Sequence, residues 1–248
     1  MNPEQMHCSY QRPQLMEVIC QLRFPTILSI GASDPVAFQE KVRAQYPRFQ
    51  SGTAADGAQS GRSYQFISAE GRWKVSLASS FLALSTMNYR GWAEFAARLD
   101  ELLVSFIEVY RPEFFERVGL RYINAFSRGT LGLGATPFCE LFSPAYLGLL
   151  SAPGAREADF TRAAQDAELG LPGGGRAKLH CGPGRVKRGA SEDPEVKYLL
   201  DIDCFLGGRV ELYRCAPALN QLHEGAYGLF RGALTERLHQ AMGPLEVM

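Results

Sequence analysis

The sequence predicts an α+β fold, with a ferredoxin-like βαββαβ N-terminal half continued by a second, partly similar antiparallel half that ends in a long helix. Three observations lead there. Residues 15–24, 115–127 and 197–205 alternate apolar and polar side chains with period two, whereas 91–110 and 217–242 repeat apolar positions every three or four residues. The order of elements over the first half is strand, helix, strand, strand, helix, strand. No long Pro/Ser-rich linker divides the chain, so residues 1–248 read as a single body with pseudo-halves at about 13–127 and 128–248.

The first strand, 15–24, places Val18, Cys20, Leu22 and Phe24 on one side and Glu17, Ile19, Gln21 and Arg23 on the other, and Pro25 stops it. Asp34-Pro35 reads as a helix start, and Phe38, Val42 and Tyr46 supply that helix with an apolar stripe before Pro47. Residues 50–62 are small and polar and read as a loop. A strand at 64–69, a turn at Glu70-Gly71-Arg72 and a long returning strand at 73–85 make a hairpin. Helix 91–110 carries Trp92, Phe95, Leu99, Leu102, Leu103 and Phe106 on one stripe, and Pro112 ends it.

Strand 115–127 sends Arg117, Gly119, Arg121 and Ile123 to one side and Val118, Leu120, Tyr122 and Asn124 to the other. In the second half, 144–150 reads as a short helix, 160–169 as a strand, Pro172-Gly173-Gly174-Gly175 as a turn into a strand at 176–181, and 182–195 as a polar connector with Arg185, Lys187 and Arg188. Strand 197–205 precedes one helix from Pro217 to about Met242.

Hydrophobic residues make up 46% of the 248, enough for a substantial core. Twenty-six basic and 26 acidic residues cancel, so no global field draws the chain to nucleic acid or to an anionic membrane. The first eight residues hold neither a basic nor an apolar segment of the kind that directs secretion, and no run reaches the roughly 18 apolar residues of a membrane span. The expectation is a cytoplasmic protein without a membrane partner. Six cysteines, Cys8, Cys20, Cys139, Cys181, Cys204 and Cys215, lie far apart and contain no C-x-x-C pair, which predicts reduced and mostly buried thiols.

Four blocks carry a resemblance. They are Leu15-x-Glu17-Val18-Ile19 with Arg23-Phe24; Trp73-x-Val75-Ser76-Leu77 running to Leu84-Ser85-Thr86, Tyr89 and Trp92; Arg117-Val118-Gly119-Leu120-Arg121-Tyr122-Ile123-Asn124; and Leu200-Asp201-Ile202-Asp203 followed by Leu222-His223. With these blocks the chain resembles a sporadically distributed, functionally uncharacterised bacterial family of full-length proteins near this size, marked by the R-V-G-L-R-Y-I-N strand. The resemblance supports the boundaries given above and implies neither an activity nor catalytic residues.

The candidate ligand- or partner-binding residues are Arg117, Arg121, Tyr122, Asp201, Asp203 and His223. Asp201 and Asp203 share one side of their strand, where they suit either a hard cation or a cross-strand ladder with Arg117 and Arg121, joined by Glu17 and Arg23; the ladder is the expectation, because two aspartates are few ligands for a metal. His223-Glu224 begins like a zinc-protease helix, but Tyr227 stands where the second histidine belongs. His223 could serve as a general base beside Asp201 or Asp203, and His239 falls where a helix dipole would favour its charge. The Gly173-Gly174-Gly175 run lacks phosphate-loop spacing. No cofactor, no metal and no assignable catalytic residue are expected, and the balance leans away from an enzyme.

Two function classes remain. One is a non-catalytic recognition or regulatory protein with a protein partner, set in a bacterial defence or toxin-neutralising module. The alternative is an RNA-binding or RNA-processing protein built from paired ferredoxin-like units, with Arg117, Arg121 and Tyr122 on its sheet, Arg185 to Arg188 at phosphates and His223 as acid or base.

Overall fold

The computed structural model describes residues 7–56, 59–188 and 191–245. Strand β1 (Ser9–Tyr10) leads to β2 (Leu15–Arg23), helices α1 (Leu28–Ala32) and α2 (Val36–Val42), and the hairpins β3 (Arg48–Asp56) with β4 (Gln59–Ile67) and β5 (Trp73–Ala78) with β6 (Phe81–Thr86). Helix α3 (Trp92–Tyr110) and strand β7 (Phe115–Phe126) follow. The chain then passes through α4 (Arg128–Leu131) and a series of 3-10 turns to β8 (Gln165–Gly170), β9 (Arg176–Gly184) and the small hairpin β10 (Lys187–Arg188) with β11 (Ser191–Glu192). It ends with β12 (Lys197–Val210), α5 (Cys215–Ala233), α6 (Glu236–Met242) and β13 (Pro244–Leu245), which pairs with β1.

Among the described residues nine strands join in one sheet, in the order β3-β4-β5-β6-β2-β7-β12-β9-β8, and every neighbouring pair is antiparallel. The period-two pattern explains why the sheet has one apolar face. Val18, Cys20 and Leu22 of β2, Val118 and Leu120 of β7, and Leu200, Ile202 and Cys204 of β12 align across the three central strands and are all buried. Helix α3 adds Phe95, Leu99, Leu102 and Phe106, and α5 adds Leu219, Leu222 and Ala226. Phe106 meets Phe24 with ring centroids 4.9 Å apart, while Phe142 stacks on Tyr198 at 3.9 Å. Burial of each such side chain contributes about 1.5–3 kcal/mol. Among the described residues, no helix packs on the opposite face of the central strands, and no helix is long and apolar enough to cross a membrane.

The mixed α+β class is as expected, but the order of elements departs from βαββαβ. The stretch read as one strand at 73–85 turns back at Ser79-Ser80 to become β5 and β6, so the strands β3, β4, β5 and β6 stand between α2 and α3 where a single hairpin was expected. The predicted loop at 50–62 is largely the β3–β4 hairpin, its tip lying outside the described residues. Small polar side chains satisfy an edge hairpin as well as a loop, and strand pairing decides between them.

The C-terminal helix also differs, since it breaks at Leu234-Thr235. Leu234 bridges to Phe142, the Thr235 amide donates to the Leu141 carbonyl, and the Thr235 hydroxyl accepts from the Leu238 amide to start α6. Asp34 does not cap α2; Pro35 occupies the cap position with no side-chain bond. The Pro172–Gly174 turn is as predicted, with Gly173 and Gly174 at φ 72° and 83°, a region that favours glycine.

The two faces predict opposite responses to truncation. Leu120→Ala, under the helices, should lower the unfolding free energy by about 2–5 kcal/mol in urea titrations, whereas Ile123→Ala, three residues along but on the uncovered face, should cost no more than about 1 kcal/mol.

Candidate functional site

Strand β7 separates the sequence-selected residues into two groups. Arg117 and Arg121 project from the uncovered face with Asp201 and Asp203, while Tyr122 projects into the covered face and meets His223 of α5. Helix α5 does pack over β12, but on the side away from the aspartates. A carboxylate-assisted His223 base is therefore not formed, and Tyr122 is not available on the sheet surface beside the arginines.

On the uncovered face the arginine–aspartate part of the ladder is present, while Glu17 makes no ion pair with the described residues. One terminal nitrogen of Arg117 donates to both oxygens of Asp203, at 2.7 and 2.9 Å. Arg121 grips Asp201 through Nε at 2.8 Å and through a second, closer contact from Nη2. Both pairs run diagonally, because the residues directly opposite Arg117 and Arg121 are Gly207 and Asp203. Arg117 can lean this way because position 119 is glycine: a Cβ there would sit 2.2 Å from its Nη1. The guanidinium also lies over Phe205, 4.6 Å from the ring centroid. The bond to Asp201 is the leading reason that Arg121 holds its proton even more tightly than usual.

Strands β9 and β8 continue the pattern. Arg176 pairs with Glu168, Lys178 Nζ lies 3.9 Å from the same carboxylate, and His180 Nδ1 lies 2.7 Å from Asp166. Arg176 and Lys178 also flank Phe205. Each exposed pair contributes no more than about 1 kcal/mol. Toward β6 and β5 the same face sinks into an open trough of about 210 Å³, lined by Glu17, Ile19, Lys74, Phe81, Ala83 and Ser85 among others.

On the covered face, His223 Nδ1 lies 2.7 Å from the Tyr122 hydroxyl, and its ring stacks on Trp92 at 4.6 Å. Trp92, at the start of α3, donates to Asn220 of α5 at 2.8 Å. His7 stacks on Tyr227, contacts Glu224 at 2.7 Å and brings its ring to 4.8 Å from His223. Burial, reinforced by His7 and opposed by Glu224, pushes the His223 pKa down to about 4, so its imidazole is neutral near pH 7. Burial likewise lifts the Tyr122 hydroxyl well above its ordinary value and the Cys204 and Cys215 thiols to about 12, leaving weak acids where a nucleophile would need a thiolate.

A larger surface depression of about 300 Å³ lies beside Arg128, Phe138, Cys139 and Glu157. There Arg128 is engaged by the Phe138 ring at 4.0 Å and by Glu157 at 3.0 Å. Among the described residues, no group of three or more His, Cys, Asp or Glu side chains could hold a metal ion. The dipole expected to favour a charged His239 is overridden: burial and Arg231 lower its pKa, and Nδ1 lies 2.9 Å from the Tyr10 hydroxyl.

No protein-family model and no curated protein matches the chain. Phe205 was legible in principle, since it shares the parity of Asp201 and Asp203 along β12. Tyr227 stands one helical turn from His223 and was legible too. His7, Trp92 and the trough were not, because they depend on contacts between stretches far apart in the chain, His7 with Tyr227, Trp92 with His223 and Ile19 with Ser85.

The His223 environment makes stability depend on pH in one direction. Its folded pKa lies below the unfolded value of about 6.5, so the unfolded chain binds more protons between those two values, and stability falls as pH drops from about 6.5 to about 4. Urea titrations at pH 7 and pH 4.5 should show a loss on the order of 2–3 kcal/mol that His223→Gln largely removes; an unchanged loss in that variant would assign the effect elsewhere.

Proposed function

We propose that this chain is a non-catalytic recognition or regulatory protein that binds a protein partner on the uncovered face of its sheet. One observation carries the reading: across the central strands, an entire face of a nine-stranded sheet has no helix packed on it among the described residues, yet it presents ordered side chains. The ion pairs there hold Arg117, Arg121, Asp201 and Asp203 in fixed positions, and fixed polar groups around apolar islands such as Ile19, Phe81, Ile123 and Phe205 are what a partner's surface can read. On the other face, His223 is neutral and engaged with Tyr122. That favours recognition over acid–base chemistry.

The RNA alternative is weaker on the same geometry. Arg117, Arg121, Arg176 and Lys178 already face carboxylates, so few free cations remain for phosphates, and Tyr122 lies beneath α5, out of reach of a base. Arg185 and Lys187 are exposed at the far end of the sheet, and the side chain of Arg188 lies outside the described residues.

The family resemblance fits this proposal, because its blocks fall on β2, β5–β6, β7 and β12, the strands that build the uncovered face. The reading of the second half as a partial echo of the first finds support in the topology: β2 with β6 and β7 with β12 are equivalent pairs, each leading into a 19-residue helix. Six free cysteines agree with a reducing cytoplasm, and a defence or toxin-neutralising module is the proposed setting.

The test is affinity purification of the tagged protein from its native host at low salt, with the absorbance ratio at 260 and 280 nm recorded and co-eluting proteins identified. A single stoichiometric partner is expected, lost with Ile123→Arg or Phe205→Asp and retained with Val104→Asp on the exposed side of α3. Nuclease-sensitive material, or a partner indifferent to both sheet substitutions, would overturn the proposal.

A further inference from the structure

The charges of the uncovered face are not treated alike. Around the ladder, every arginine and lysine of β7 and β9 has a carboxylate within ion-pair or near ion-pair range. In the trough, Lys74 and Glu17 make no hydrogen bond or ion pair with the described residues, although both are half-buried and line the same depression. On the ladder side, Glu17 adds to the field at Arg121 less than Asp201 and Asp203 do. A partly desolvated charge without a counter-ion gains most from one that arrives with a ligand.

The floor of the trough points the same way. Ser63, Ala83 and Ser85 face the uncovered side yet are buried, because neighbouring side chains rise around them. The Ser63 and Ser85 hydroxyls form no hydrogen bond with the described residues, and neither does the Gln65 side chain at the trough's edge. Small side chains make the depression, and polar groups without protein partners line it.

Size and spacing restrict the occupant. A volume of about 210 Å³ lies below the roughly 300–1,000 Å³ of sites that enclose small molecules, and the trough is open along its length. Lys74 stands opposite Ser85, Ser85 opposite Ile19, and Glu17 is two residues along β2 from Ile19. Two strand spacings across and two residues along separate the two charged positions by about 12 Å, which an extended chain covers in roughly three to four residues.

We propose that the trough seats an extended segment of a protein partner that brings a carboxylate to Lys74 and, three or four residues away, a cation to Glu17, with a small or apolar side chain between them on Ile19, Phe81 and Ala83. This rests on the recognition reading and narrows it to one part of the face.

The probes are fluorescently labelled synthetic decapeptides, each with one Asp and one Arg in both orders at separations of one, three and four residues, with Asn/Gln versions as neutral controls. Fluorescence polarisation against the full-length protein should show at least tenfold tighter binding of one order at a separation of three or four than of the neutral peptide. Lys74→Glu and Glu17→Lys should each remove that preference without changing the melting temperature, and the double exchange should transfer it to the opposite order. Equal binding of all peptides, or a preference untouched by both single substitutions, would overturn the inference. So would sedimentation showing a self-associated wild type that Lys74→Glu renders monomeric, since the occupant would then be a second copy. Retention of the purified partner by Lys74→Glu alongside its loss with Ile123→Arg would sink the trough while leaving sheet-face recognition standing; retention by both would sink the two together.

Discussion

Hydrogen bonding of β7 along both edges fixes the rest of the molecule. Leu120 lies between Cys20 of β2 and Cys204 of β12, and from that row outward each neighbour is committed to one face. A slip of one residue would carry Arg117 and Arg121 beneath α3 and α5 and turn Leu120 to water. The Arg117–Asp203 and Arg121–Asp201 pairs add little energy, but they can close only in the native register of β7 and β12. Their main effect is to penalise wrong pairings, with Gly119 leaving the space that lets Arg117 lie down.

The same constraint joins the halves. Strands β2 and β7 come from different ends of the chain's first half and pair directly, so the sheet runs without interruption from β3 to β8. On the covered face the connection is repeated one layer up, where Trp92 of α3 both stacks on His223 and donates to Asn220 of α5. His7 then closes over that contact from the N-terminal segment, whose β1 pairs with β13 near the C-terminus. The buried histidine is thus part of a seam between two helices, which accounts for its neutrality better than a chemical role does.

Period and parity made much of this legible. The alternation of 15–24, 115–127 and 197–205 gives the correct faces for the three central strands, and the 91–110 stripe gives α3 almost to the residue. What failed had two causes. The break at Leu234 is decided by a partner distant in sequence, Phe142, whereas 50–62 and 73–85 fold back locally as the hairpins β3–β4 and β5–β6, which small polar or uniformly β-prone stretches do not mark. Parity alone separated Tyr122 from the arginines, so the list of candidate residues spanned both faces of the sheet from the start.

Electrostatic satisfaction distinguishes the parts of the uncovered face more sharply than shape does. Where β7, β12, β9 and β8 meet, cations and carboxylates answer each other, and a partner would have to break those pairs to gain new ones. At β2, β6 and β5 the small residues Ser76, Ala83 and Ser85 lower the surface, and the flanking Lys74 and Glu17 have no such engagement with the described residues. A binding surface needs rigid surroundings and available groups together. The ladder supplies the first by holding β2, β7 and β12 in register, and the adjoining trough supplies the second, so the two belong to one device, with Glu17 at the boundary between them.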